Sequence, residues 1–269
     1  MDLCLHIGTK DIEQQFSALS HLPHLTSLVL NGFDLTHAEL TQLASTNLVN
    51  LQLNVDSIYD DELDVAEDTD EPRILDFADI QLLASLPKLT DLAVWAMAPF
   101  FDCSGLPCSW TRLTLRATHD AHQLVKLPLR GVVELRVNSI RVNLNSEGGS
   151  SAAATTMSSV VALLAPRWVM DQSGPFSPER PDLILEWDQL PVAPNSYSAQ
   201  CLEALAPLEH VGFELHLIDW WLGEEECVQL CEALPRLKTL DIKHTCITSK
   251  GLAVLATMSS LSSLERLKQ

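Results

Sequence analysis

Two stretches, LVLNGFDLTHAELTQLA at residues 28–44 and LDIKHTCITSKGLAVLA at residues 240–256, align without a gap. Both run apolar-x-apolar, then an apolar-Thr pair (Leu35-Thr36, Ile247-Thr248), then Leu-x-x-Leu-Ala. The period changes from two to near 3.6 within one short unit, which predicts a strand followed by a helix. Thr36 and Thr248 stand where a hydroxyl caps the following helix, and Glu39 completes a capping box. In the second copy Gly251 takes the place of that glutamate, so half of the signal survives.

Working outward, the lead-in L-x-x-L-x-L predicts strands around Leu25-Leu28-Leu30, Leu48-Leu51-Leu53, Leu89-Leu92-Val94, Trp110-Leu113-Leu115 and Val132-Leu135-Val137. It continues at Leu183-Leu185, Leu208-Val211-Phe213 and Leu237-Leu240-Ile242, with partial units at Leu3-Leu5 and Leu264-Leu267. Most intervals between the central residues (Leu3, Leu28, Leu51, Leu92, Leu113, Leu135, Leu183, Val211, Leu240, Leu267) fall within about 20 to 29 residues. The two long intervals contain segments that read as inserted loops: an acidic one at about 56–73 and a Ser/Ala/Pro-rich one at 144–181. A degenerate repeat within 155–170 is the other reading of the second interval.

The unit at 247–256, Ile-Thr-x-x-Gly-Leu-x-x-Leu-Ala, resembles the ribonuclease-inhibitor-like, or cysteine-containing, branch of the leucine-rich-repeat family. The resemblance covers nearly the whole chain. It implies an α/β leucine-rich-repeat solenoid, a single domain over 1–269: a curved horseshoe with parallel strands on the concave face and helices on the convex face. The terminal strands at Leu3 and Leu267 lack polar caps. Either the chain belongs to a longer polypeptide, or a partner or second copy covers an exposed end.

A formal charge of −19, from 17 Lys+Arg against 36 Asp+Glu, repels nucleic acid and anionic membrane surfaces. No nucleic-acid or membrane partner is expected. The opening MDLCLHIGTK lacks the basic flank and apolar run of a secretory signal, and no stretch reaches the roughly 18 apolar residues of a membrane span. A cytoplasmic protein is expected, its seven cysteines reduced thiols.

On the expected concave wall, one row reads Asn31, Asn54, Trp95, Arg116, Asn138, Glu186, Glu214, Lys243. Its neighbour reads Val29, Gln52, Ala93, Thr114, Arg136, Ile184, Gly212, Asp241. Trp95, Arg116 and Arg136 form a basic-aromatic centre for a protein partner, because Trp and Arg dominate interface energetics. Glu186, Glu214, Asp241 and Lys243 flank it. Trp220-Trp221 is read either as an indole packed over a repeat edge or as a partner anchor.

No catalytic pattern is found: no nucleophile elbow, no phosphate-binding glycine loop and no G-x-G-x-x-G. Neither a cofactor nor a small-molecule substrate is expected. Cys103-x4-Cys108 with His119-x2-His122 has loose zinc spacing and a strand between the pairs, so no metal is expected there. Cys227 and Cys231 look like core thiols, as do Cys4, Cys201 and Cys246. His6, His21, His24, His37, His210, His216 and His244 are dispersed and read as solvated or hydrogen-bonded. The acidic loop lacks the ligand alternation of an EF-hand.

The expected function is therefore a non-catalytic intracellular protein-protein interaction scaffold. The resemblance implies cytoskeletal or ciliary (axoneme) assembly as one setting. Its other implications are a substrate receptor of a ubiquitin ligase (F-box-type), for which nothing before residue 3 leaves room, and a GTPase-activating regulator, for which no arginine or asparagine stands out.

Overall fold

A computed structural model describes residues 2–6, 19, 21–22, 24–31, 36–43, 46–54, 74–99, 101–144, 150–168, 181–187, 196–242 and 245–265. It is an α/β structure of parallel strands and helices. The chain divides into two compact units, Met1–Ala117 with Lys126–Glu134, and Thr118–Val125 with Leu135–Gln269.

In the first unit the strands are β1 (Asp2–His6), β2 (Ser27–Asn31), β3 (Asn50–Asn54), β4 (Asp91–Val94) and the part of β5 (Arg112–Asp120) up to Ala117. They pair in parallel so that Leu3, Leu28, Leu51, Leu92 and Leu113 stand side by side. These five are the expected central residues, in the expected register. Leu28, Leu51, Leu92 and Leu113 are fully buried, and burying a leucine contributes about 2 kcal/mol. Two helices, α1 (His37–Leu43) and α2 (Phe77–Ala84), bury Leu40, Leu43, Ile80 and Leu83. The Thr36–Glu39 capping box forms: Glu39 Oε2 accepts from Thr36 N (2.6 Å), and Glu39 N reaches Thr36 Oγ1 at 3.4 Å. A second box joins Asp76 and Asp79 at the start of α2. His37 Nδ1 lies 2.8 Å from Asp79 Oδ1, tying α1 to α2.

The second unit holds α3 (Ala121–Leu124), β6 (Glu134–Leu144) from Leu135 onward, α4 (Ser150–Leu164), β7 (Asp182–Trp187), α5 (Ser196–Glu203), β8 (Glu214–Ile218) and α6 (Glu224–Ala233). β10 (Thr239–Asp241), α7 (Ser249–Leu255) and β12 (Ser263–Glu265) follow, with a small parallel pair of β9 (Trp221–Leu222) and β11 (Cys246–Ile247). The shared row is Ile140, Leu183, Leu215, Leu240 and Leu264. Helices α4 to α7 pack in sequence, each on the next.

Several expectations shift here. The strand expected at Leu208-Val211-Phe213 lies further on, at Glu214–Ile218. Leu208 ends a 3₁₀ turn, and Val211 and Phe213 are buried ahead of the strand. The slip is four residues, an even number, so the same face stays inward and alternation could not reveal it. The row residue of the last strand is Leu264 rather than Leu267, which lies outside the described residues. In β6 it is Ile140 that pairs with Leu183, while Leu135 bridges Trp168.

Within 144–181, residues 150–164 are helical rather than looped. Met157, Val160, Val161 and Leu164 repeat at the helical interval and are buried. The acidic segment at about 56–73 lies outside the described residues.

Trp220 is fully buried: its indole donates to Leu185 O (2.9 Å) and meets Trp187 edge to face at 5.7 Å. Trp221 is half-buried on β9. The chain reaches this arrangement through Asp219, at φ 58°, a left-handed conformation that aspartate tolerates better than most residues.

Candidate functional site

Trp95, just beyond β4, is half-buried, and its carbonyl accepts from Arg116 N (3.0 Å) and Ala117 N (2.9 Å). Trp95 and Arg116 are thus neighbours in the first unit. Arg136 lies on β6 in the second unit. Glu186 on β7 sits 3.7 Å from Arg141 Nε on β6. Glu214 opens β8, and Asp241 ends β10, only 3% exposed. Lys243 lies outside the described residues.

Two clusters join residues that are far apart in the sequence. In the first unit Arg112 Nε donates to Glu134 Oε2 (2.8 Å), and its Nη1 donates to Asp91 Oδ2. Glu134 first, then Asp91, holds the guanidinium even more firmly protonated than usual. All three immediately precede a leucine of the strand lead-in pattern (Leu92, Leu113, Leu135), so reading the column before each of these leucines exposes the alternation of sign. Arg112 is 42% exposed, so each pair contributes about 0 to 1 kcal/mol.

The second cluster is Asp182, Glu214, His216 and Asp241, from β7, β8 and β10. Asp182 and Glu214 are register partners, as are His216 and Asp241. Alternation puts Glu214 and His216 on one face, opposite the buried Leu215 and Leu217. His216 Nδ1 lies 3.1 Å from Asp241 Oδ2, and Nε2 lies 3.6 Å from Asp182 Oδ1. The carboxylates of Asp182 and Asp241 hold the imidazole above its ordinary pKa, outweighing the opposing effect of burial. From the sequence His216 is one dispersed histidine among several, since a strand centred on Val211 ends before it; the strand at Glu214–Ile218 is what brings it beside the carboxylates.

Cys103 Sγ faces Phe101 O (3.6 Å), and Cys108 Sγ faces Pro128 O (3.0 Å). Burial pushes both thiols up, and His119 is itself buried. Among the described residues, the group of His, Cys, Asp and Glu spaced to share an ion is Asp182, Glu214 and His216, whose ligand atoms lie within 4.8 Å of one another. No described helix is long and apolar enough to cross a membrane.

Compared with protein-family models and with curated proteins, the chain matches none.

Proposed function

We propose that the protein is a non-catalytic interaction module of leucine-rich-repeat type, which holds a partner protein against the outward face of its parallel sheet. The observation that carries this is the alternation on β7 and β8. Leu183, Leu185, Trp187, Leu215 and Leu217 are buried, while Asp182, Ile184, Glu186, Glu214, His216 and Ile218 stand half-exposed between them. Residues on packed strands present their side chains at fixed spacing, so a partner meets a surface with little ordering cost left. The face combines carboxylates with two isoleucines, and the chain carries −19 overall. Its complement is a protein surface of Lys and Arg around an apolar contact.

Affinity capture tests the reading with four baits: the unaltered chain, Ile184→Arg, Glu186→Lys, and Glu203→Lys on the exposed side of α5. A basic partner is expected with the unaltered chain and with Glu203→Lys, at least tenfold reduced with the two strand variants. Trp95→Ala and Arg116→Ala extend the same comparison to the first unit. Equal recovery by every bait removes the sheet-face reading.

A further inference from the structure

Three strands bring four ionisable side chains to one spot: the ligand atoms of Asp182, Glu214 and His216 lie within 4.8 Å of one another, and Asp241 meets the far nitrogen of the imidazole. Asp241 is 3% exposed and, as a carboxylate, can only accept. The 3.1 Å contact to His216 Nδ1 therefore places a hydrogen on that nitrogen and turns Nε2 toward Asp182. Nε2 is shielded from solvent and makes no hydrogen bond. At 3.6 Å from Asp182 Oδ1 it stands beyond the roughly 2.7 to 3.2 Å of an N–H···O bond. Two ligand atoms each about 2.1 Å from a tetrahedral metal ion are about 3.4 Å apart.

We propose that Asp182, Glu214 and His216 form a binding site for a divalent transition-metal ion, zinc above all, with Asp241 orienting the histidine from behind. A carboxylate on the far nitrogen of a ligating imidazole fixes its tautomer and raises its basicity, the usual outer shell of such sites. Two carboxylates and one imidazole, with no thiolate, suit zinc or manganese better than copper(I). Three protein ligands leave one tetrahedral position for water. The side chains come from adjacent parallel strands, so their spacing is set by backbone hydrogen bonding rather than by loop conformation.

The test uses the full chain after chelator treatment and desalting, titrated with Co²⁺ as a spectroscopic probe and with Zn²⁺ in competition. One equivalent of Co²⁺ is expected, giving visible bands without the near-ultraviolet charge transfer that the chain's cysteines would produce. His216→Ala should abolish binding, and Glu214→Gln should weaken it at least tenfold. Asp241→Asn should weaken it about 10- to 100-fold while leaving one site. Glu203→Gln, on the exposed side of α5 and outside the cluster, should bind as the unaltered chain does. Circular dichroism checks the fold of each variant, and the half-exposed Glu214 decides the matter if a buried substitution unfolds the protein. Absence of binding, binding indifferent to His216→Ala and Glu214→Gln, or a thiolate charge-transfer band would each overturn the proposal.

Discussion

At Gly251 a β-carbon would lie 2.7 Å from Gly223 O, 2.8 Å from Leu222 O and 2.9 Å from Cys227 Sγ. Two of those contacts are backbone, which cannot swing aside, so Gly251→Ala should lower stability by about 1 to 3 kcal/mol. A denaturation midpoint equal to that of the unaltered chain would contradict this close approach. The missing half of the second capping signal thus has a physical cause: the site admits no side chain. The cysteines give a second prediction at this scale. Burial pushes Cys201 and Cys227 up to about 12. Below pH 9 both the folded and unfolded chains keep these thiols protonated. Between about 9 and 12 only the unfolded chain ionises, so stability should fall as pH rises through that window. In the native protein at pH 8, alkylation of Cys201 and Cys227 should lag far behind that of the unfolded chain. Equal rates, read by mass spectrometry, would show these thiols to be accessible.

Helix starts show how local signals and tertiary demands combine. Thr36 with Glu39 and Asp76 with Asp79 form reciprocal pairs three residues apart, Gly223 N donates one way to Glu226 Oε2 (2.9 Å), and Thr248 Oγ1 accepts from Gly251 N at 3.0 Å. The first pair was legible because its residue types are the preferred ones. Asp79 does more than cap: fully buried, it also accepts from His37 of the neighbouring helix if that imidazole carries its Nδ1 hydrogen. Asp79→Ala should cost about 1 to 3 kcal/mol, whereas His37→Ala, on a side chain 52% exposed, should cost less than about 1. Equal effects in chemical denaturation would deny Asp79 its double role. The helix at 150–164 was obscured because its first turns are Ser and Ala, a composition shared with loops. Its apolar residues acquire meaning only from the neighbouring helix they pack against.

Across the whole chain, a net charge of −19 means that carboxylates repel one another in the compact state. Raising salt from about 0.01 to about 0.15 M shortens the screening length from about 30 to about 8 Å, so the thermal midpoint should rise. A falling midpoint in a calorimetric scan would mean that attractive ion pairs such as Arg112 with Asp91 and Glu134 outweigh the repulsion. The alternation of strand and helix, the inward leucines and the first unit's register from Leu3 to Leu113 are already set by the amino-acid order. These follow from the period of apolar residues, a property of neighbours along the chain. Which residue of one strand lies opposite which residue of the next in the second unit is fixed by the packed fold alone. Connections there vary in length, and a slip by an even number of residues leaves every leucine facing inward. That freedom concealed the meeting of Asp182, Glu214, His216 and Asp241, which is fixed by hydrogen bonding between strands far apart in the chain.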